Sequence, residues 1–187
     1  MNNLIQFITT KVPLEKELIE QLLALCIEKK YAKGEPLLKI GGYCNHLFFI
    51  NNGLVKLCFE ADEGEFIMRF FQENILFTEL ESLTTRHPSK YTIVALEHIN
   101  SVIIPYSKFE KLCREYPKLS IFYNKFLTIA HINMMNRISE MLDADARTRY
   151  NNFLNRNSAI INRITLGDLS KYLGINQVTL SRIRRKK

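Results

Sequence analysis

TLGDLSKYLGINQVTLSRIRR, residues 165–185, decides the fold prediction for the end of the chain. Thr165 can cap a first helix, and Gly174 falls where a tight turn needs a left-handed backbone angle. Asn176 can cap a second helix that runs from residue 177 to residue 185. The stretch therefore predicts two short helices joined by a tight turn, a helix-turn-helix.

The apolar residues of this stretch are spaced so that the two helices pack together, which leaves a polar outer face on the second helix. In a helix-turn-helix on DNA, the second helix enters the major groove. The predicted base-reading residues are Gln177, Val178, Ser181 and Arg182. The predicted phosphate contacts are Thr165, Asn176, Thr179, Arg184, Arg185 and Lys186. A plain helical hairpin with a solvated basic end is the alternative.

The positive charge of the chain is concentrated at its C-terminal end. The 187 residues carry a formal net charge of +7. Residues 137–187 hold 11 Lys and Arg against 4 Asp and Glu, whereas residues 1–136 hold 15 of each. A basic module beside a neutral one indicates a polyanionic partner such as double-stranded DNA.

Composition and motif content argue against several other classes of protein. The chain is 47% hydrophobic without a run long enough to span a membrane, and its N-terminus lacks a signal-peptide pattern, so we expect a cytoplasmic protein without a membrane partner. Four scattered cysteines predict buried free thiols and no metal site. The four histidines lie in unrelated segments and no nucleophile motif occurs, so we expect no enzyme, no catalytic residues and no cofactor.

Residues 1–30 are predicted to be helical, because leucines recur at helical spacing after Pro13. From residue 31 to residue 105, short β-type runs alternate with glycine, asparagine and acidic breaks, which predicts a small sandwich or barrel. Asn52-Gly53 between two runs predicts a hairpin. A partly helical insertion is expected between residues 72 and 90. The predicted strands are 36–40, 46–50, 54–59, 66–71, 91–96 and 101–104.

A long helix is predicted from Pro117 to about residue 142, after a short helix at 107–114. It carries two apolar stripes, one of which could cover the β unit while the other pairs with a second copy. A helix buried wholly within one chain is the alternative. The stripe predicted to form the dimer contains Tyr123, Leu127, Ala130, Met134, Ile138 and Met141. A further helix is expected within 143–162.

This order of parts resembles the cyclic-AMP receptor protein/Fnr (Crp/Fnr) superfamily of transcription regulators. The resemblance covers nearly the whole chain and is carried by KGEPLLKIGGYCNHLFFINNGLVKL, residues 33–57, and ITLGDLSKYLGINQVTLSRIR, residues 164–184. It implies an α+β fold with three parts. These are an N-terminal helix with a cyclic-nucleotide-binding-like β-roll sensor at 1–116, a dimerisation helix at 117–142 and a helix-turn-helix domain at 143–187.

The family also implies an effector pocket between the β-roll and the long helix. Relatives that bind cyclic AMP hold its phosphate with a Gly-Glu segment and an Arg-Ser pair. Here Thr78 replaces the glycine and Ser89 the arginine, and Lys90 is only a point charge, so we expect an unidentified small-molecule effector rather than cyclic AMP. The implied pocket residues are Phe77, Thr78, Glu79, Leu80, Ser89 and Lys90.

The resemblance favours a dimeric, sequence-specific DNA-binding regulator, for which RNA polymerase is a further candidate partner. Many relatives continue into a small β wing after the recognition helix, whereas this sequence ends in basic residues that we expect to supply the missing phosphate contacts. A small-molecule sensor that acts through a protein partner instead of DNA remains the alternative. The resemblance names neither the operator nor the direction of regulation.

Overall fold

The structure is a computed structural model that describes residues 1–62 and 64–185. Two N-terminal helices, α1 and α2, precede an eight-stranded β-roll, and a helical half follows. The helices are α1 Asn2–Thr9, α2 Lys16–Leu25, α3 Leu80–Thr85, α4 Tyr106–Glu115, α5 Pro117–Asp143, α6 Ala146–Arg156, α7 Leu166–Leu173 and α8 Gln177–Arg185. The strands are β1 Ile27–Tyr31, β2 Pro36–Leu38, β3 His46–Asn52, β4 Val55–Ala61, β5 Gly64–Phe71, β6 Leu76–Phe77, β7 Thr92–Ala95 and β8 Ile99–Pro105.

The β-roll consists of two four-stranded antiparallel sheets. One sheet has the order β1-β8-β3-β6 and the other has the order β2-β7-β4-β5. Aromatic and branched side chains from both sheets, including Phe49 and Ile93, are fully buried in one core with α1, α2 and the start of α5. The predicted small β unit is confirmed, and its two layers leave β5 at the edge nearest the helical half of the chain.

Gly53 occupies a turn between the sheets, which corrects the predicted hairpin. β3 and β4 on either side of it belong to different sheets. The paired hairpin is instead β4–β5, where Ala61 lies opposite Gly64. Gly53 has φ of 110°, and a Cβ there would lie 2.3 Å from Cγ2 of Ile99. The glycine is therefore required both by its backbone angle and by a close approach of β8.

Two N-terminal predictions also need correction. The helical prediction for residues 1–30 was wrong at its end, because Ile27–Tyr31 is a strand paired with β8. Four of its five residues are exposed, so it shows no apolar alternation. The short strand β6 was missed as well, since two residues carry no period.

The helical half is close to its prediction. Pro117 stands at the start of α5, where its missing N–H is not needed. Asp145 caps α6 by accepting a hydrogen bond from the Thr148 amide at 2.7 Å. Tyr150 and Phe153 of α6 form a second core with α7 and α8, and Leu54 of the β-roll is part of it. The helix-turn-helix thus shares a buried core with the β-roll.

Candidate functional site

The helix-turn-helix is built as its local sequence predicts. Thr165 accepts a hydrogen bond from the Asp168 amide at 2.9 Å and donates one to the Asp168 carboxylate at 2.6 Å. Asn176 accepts a hydrogen bond from the Thr179 amide at 2.8 Å, which caps α8. Gly174 ends α7 with φ of 62°. The two helices enclose the buried side chains Leu169, Leu173 and Leu180.

The predicted base-reading residues lie on the outer side of α8. Gln177 and Arg182 are exposed, Val178 is 61% exposed and Ser181 is half-buried. This face of α8 is therefore mostly exposed to solvent.

The predicted phosphate contacts divide into two kinds. Thr165 and Asn176 use their side chains as helix caps, while Arg184 and Arg185 are exposed. Thr179 is half-buried, and Lys186 lies outside the described residues. The capping residues have exposed surface, but Oγ1 of Thr165 and Oδ1 of Asn176 already have protein partners.

Ion pairs dock α7 on the outer surface of the β4–β5 hairpin. Nζ of Lys56 lies 2.8 Å from Glu65 and 3.1 Å from Asp168, and Lys171 lies 3.1 Å from Glu65. Burial opposes ionisation of Glu65, yet the hydrogen bonds from Lys56 and Lys171 lower its pKa to about 2. These four residues, Lys56, Glu65, Asp168 and Lys171, are the docking cluster, which sequence reasoning did not find.

A second ion-pair cluster holds the segment before α7. Arg163 contacts the carboxylates of Glu73 and Glu97, and Glu73 also accepts a hydrogen bond from the Gly53 amide at 2.8 Å. The hydrogen bond from Arg163 is the main cause that lowers the pKa of Glu73 to about 2. The turn between the sheets and the linker to the helix-turn-helix are thereby joined at one carboxylate.

Aromatic contacts complete the docking. The ring of Phe70 on β5 lies 5.4 Å from that of Tyr172 on α7. The guanidinium of Arg137 on α5 stacks over Tyr172 at 3.9 Å and donates a hydrogen bond to its carbonyl. Arg137 is only 6% exposed, and the structure gives its Nε no hydrogen-bond partner among the described residues. The helix-turn-helix therefore contacts both β5 and α5.

A cavity of about 520 Å³ lies between the β-roll and α5. Its walls come from β5, β6, the start of α3 and the middle of α5, and most of them are apolar. The volume is in the range of small-molecule sites. The lining residues are Phe7, Lys11, Leu57, Met68, Arg69, Phe71, Ile75, Leu76, Phe77, Thr78, Glu79, Leu80, Glu81, Tyr91, Phe126, Leu127, Ile129, Ala130, His131, Asn133 and Met134.

Four of the six implied pocket residues line this cavity, namely 77–80. Ser89 and Lys90 do not. The Ser89 hydroxyl is held by the backbone of Tyr91 at 3.0 Å, and Lys90 pairs with Glu81 at 2.9 Å on the surface. The implied phosphate-binding pair is thus not directed into the cavity.

Arg69 is one of the cavity residues that sequence reasoning missed. Its guanidinium carbon lies 5.3 Å from the centre of the Phe71 ring, and both residues line the cavity. Burial lowers the pKa of Arg69, although an arginine stays protonated at neutral pH. The available signal was a single charge inside the apolar strand FIMRFF, residues 66–71.

The α5 residues predicted for the dimer mostly have partners inside the chain. Tyr123 packs against Phe109 with ring centres 5.4 Å apart. Leu127, Ala130 and Met134 line the cavity, and Met141 lies against Gly174. Only Ile138 of this set is exposed. The sequence shows two stripes on α5 but does not say which of them the chain covers itself.

A different face of α5 remains uncovered. Its residues recur at intervals of four and three, the spacing of a coiled-coil seam, and all are exposed. Ile132 is 52% exposed and Leu142 is 83% exposed. We call this set the outer stripe: Ile121, Lys125, Thr128, Ile132, Met135, Ser139 and Leu142.

Other kinds of site are less well supported. All four cysteines, Cys26, Cys44, Cys58 and Cys113, are buried and free, as predicted. Within residues 1–62 and 64–185, no three His, Cys, Asp or Glu side chains are grouped to hold a metal ion. Over the same part of the chain, no helix combines the length and apolar character needed to cross a membrane.

Comparison with known proteins gives the fold class. Residues 28–116 match the cyclic nucleotide-binding domain family. No curated protein sequence is significantly similar to the chain. The match extends from β1 to α4 and so covers the β-roll.

Solved structures extend the likeness through the helical half. One is the c-di-GMP-responsive global regulator CLP of Xanthomonas campestris, with TM-score 0.75 and 15% identity over 92% of this chain and 91% of that one. FixK2 of Bradyrhizobium japonicum has TM-score 0.76 and 15% identity over 86% and 83%. A structure from Eubacterium rectale, described as a Crp/Fnr family transcriptional regulator, has TM-score 0.73 and 18% identity over 92% and 83%. The chain has the fold of Crp/Fnr transcription regulators.

Proposed function

We propose that the protein is a homodimeric, sequence-specific DNA-binding transcription regulator whose effector is not cyclic AMP. The observation that carries the proposal is the exposed outer face of α8, which presents Gln177, Val178 and Arg182 to solvent. A docked helix that still presents polar and basic side chains is suited to reading base edges. The charge excess of residues 137–187 supports a polyanionic partner.

The outer stripe of α5 supports the dimer. An exposed seam with four- and three-residue spacing, in which Ile121, Ile132, Met135 and Leu142 alternate with polar residues, can pair with the same seam of a second copy about a twofold axis. Two copies of α8 would then face successive major grooves, about 34 Å apart on one side of the duplex. We infer that the dimer uses the outer stripe rather than the stripe through Tyr123 and Met134, because the latter is occupied within the chain.

The environment of Lys90 supports the expectation against cyclic AMP. In the relatives that bind cyclic AMP, the resemblance implies that a bidentate arginine holds the phosphate at the position of Ser89 and Lys90. Lys90 is instead paired with Glu81 on the surface, and Glu79 uses both carboxylate oxygens to cap α3 at 2.9 and 3.0 Å. The residues in place of the phosphate-binding group are thus committed to other contacts.

Binding-site selection from random duplexes with the purified full chain tests the proposal. We expect enrichment of an inverted repeat with half-sites one helical turn apart, and an affinity that falls steeply between low and moderate salt. Selection without enrichment, together with no binding at low ionic strength, would overturn the proposal. A sensor that acts through a protein partner would then be the better reading.

A further inference from the structure

Arg69 is a cation at the wall of the cavity, and no carboxylate of the described residues forms an ion pair with it. Its guanidinium lies over the Phe71 ring, 5.3 Å from the ring centre. None of the ion pairs found among residues 1–62 and 64–185 includes it. A half-buried cation in apolar surroundings is unfavourable unless an anion neutralises it. The missing partner can be supplied by a ligand.

The acidic residues that line the same cavity do not neutralise Arg69. Glu79 caps α3 through the amides of Glu81 and Ser82, and Glu81 pairs with Lys90. Most of the cavity wall is apolar, with Phe71, Leu76 and Phe77 among its residues, and Lys11 is a second cation that lines it. The cavity therefore offers positive charge within a largely apolar surface, and Arg69 is its only guanidinium among the described residues.

We propose that this cavity binds an organic carboxylate with an apolar body, whose carboxylate pairs with the guanidinium of Arg69. The guanidinium presents parallel N–H donors that match a carboxylate, and the apolar walls would bury the rest of the molecule. A nucleotide, with its polar sugar and base, matches these walls poorly. The inference rests on the proposed function, since it names the class of effector that the regulator would sense.

The position of Arg69 also connects such a ligand to the helix-turn-helix. Arg69 and Phe71 face the cavity, whereas their β5 neighbour Phe70 contacts Tyr172 of α7. Arg69 and Phe70 are consecutive residues of β5, so the residue that lines the cavity and the residue that contacts α7 belong to one strand. An anion on Arg69 would thus bind beside the docking contact.

Calorimetric titration of the full chain, without DNA, tests the inference. The probes are octanoate, 4-phenylbutanoate, the neutral alcohol 1-octanol, and cyclic AMP. We expect one acid molecule per chain, bound at least about tenfold more tightly than 1-octanol, because the ion pair is lost in the alcohol. Equal binding of acid and alcohol, no binding of either acid, or tighter binding of cyclic AMP would overturn it.

Variants test whether Arg69 is the residue that binds the carboxylate. In Arg69→Gln the acid should lose its advantage over 1-octanol, whereas Lys90→Gln should keep the wild-type ratio. The ratio of acid affinity to 1-octanol affinity is measured within one variant, so partial unfolding changes it little. Arg69→Lys retains a charge and should keep part of the preference for the acid. A wild-type ratio in Arg69→Gln contradicts the assignment. DNA affinity measured without any acid tests the proposed function separately.

Discussion

Arg163 donates two parallel hydrogen bonds to Glu73, from Nη2 to Oε1 at 2.7 Å and from Nη1 to Oε2 at 3.0 Å. The pair joins the segment before α7 to the loop after β5, and Glu73 also holds the Gly53 turn. Because the geometry is bidentate and partly shielded, it is stronger than an ordinary surface ion pair. The linker is thereby fixed to the β-roll.

Replacing Arg163 by Gln should loosen the docked helix-turn-helix. We expect a loss of about 1–2 kcal/mol in the free energy of unfolding, with faster amide exchange in the segment before α7. Arg114→Gln is the matched control, because Arg114 pairs with Glu110 on the exposed side of α4 and should change stability by less than about 0.5 kcal/mol. Equal effects in the two variants would argue against a docking role for Arg163.

Acid should weaken the same docking. Glu65 and Glu73 both have a pKa near 2 in the folded chain, below the usual value for glutamate. A lowered folded-state pKa contributes stability above the unfolded-state pKa, and this contribution is lost as the pH falls toward the folded-state value. Stability should therefore decline from about pH 5 down to about pH 2. In the double variant Glu65→Gln, Glu73→Gln, urea denaturation at several pH values should give a shallower decline.

The turn at Gly53 predicts a large steric effect. Gly53→Ala combines positive φ with a Cβ placed only 2.3 Å from Cγ2 of Ile99, and should destabilise the chain by about 2–4 kcal/mol. Gly34→Ala shares the positive φ but has no atom within 4 Å, so it should cost about 1 kcal/mol. Urea unfolding midpoints give the comparison. Similar losses in both variants would show that backbone angle alone accounts for the glycine.

Ile132→Glu tests the outer stripe. If the proposed dimer forms through this stripe, a charge at its centre should convert the dimer to a monomer in sedimentation velocity, because two buried carboxylates would face each other. Ile40→Glu is the control: Ile40 is 59% exposed but lies in the β-roll, and its variant should sediment as the wild type does. A dimer that persists in Ile132→Glu would place the contact elsewhere.

Arg182→Ala tests the reading face of α8. We expect it to weaken binding to the selected site by about 1–3 kcal/mol and to relax preference at one position. Arg185→Ala should instead weaken all sequences alike and lower the salt slope by about one. The exposed Arg114→Ala variant controls for loss of charge far from α8. Unchanged sequence preference in Arg182→Ala would contradict its role in base reading.

Local signals allowed the helix-turn-helix to be predicted, whereas partners distant in sequence explain most errors. The helix caps of Thr165 and Asn176 and the turn at Gly174 involve only residues close by in the sequence, and the structure confirms all three. The Gly53 turn was predicted as a hairpin from its local sequence. Glycine is required there because Ile99, 46 residues later in the sequence, approaches it closely, and local sequence does not reveal that contact. The strand Ile27–Tyr31 lacks alternation, since only Tyr31 is buried.

The candidate cavity was located only in part for a similar reason. Residues 77–80 follow the family pattern and do line it, but Arg69 is visible in the sequence only as one charge in an apolar strand. Which way that side chain points depends on the sheet to which β5 belongs. The two stripes of α5 pose the same problem, because periodicity predicts faces but not their partners.

The strand β5 contributes residues to both the cavity and the contact with the helix-turn-helix. Arg69 and Phe71 border the cavity, and Phe66 and Phe70 border the helix-turn-helix. A movement of β5 would therefore couple the cavity directly to the helix-turn-helix. If a ligand shifts β5 so that operator affinity changes by some factor, the operator must alter ligand affinity by that same factor. Titrating the acid with and without a bound duplex would measure this reciprocity directly.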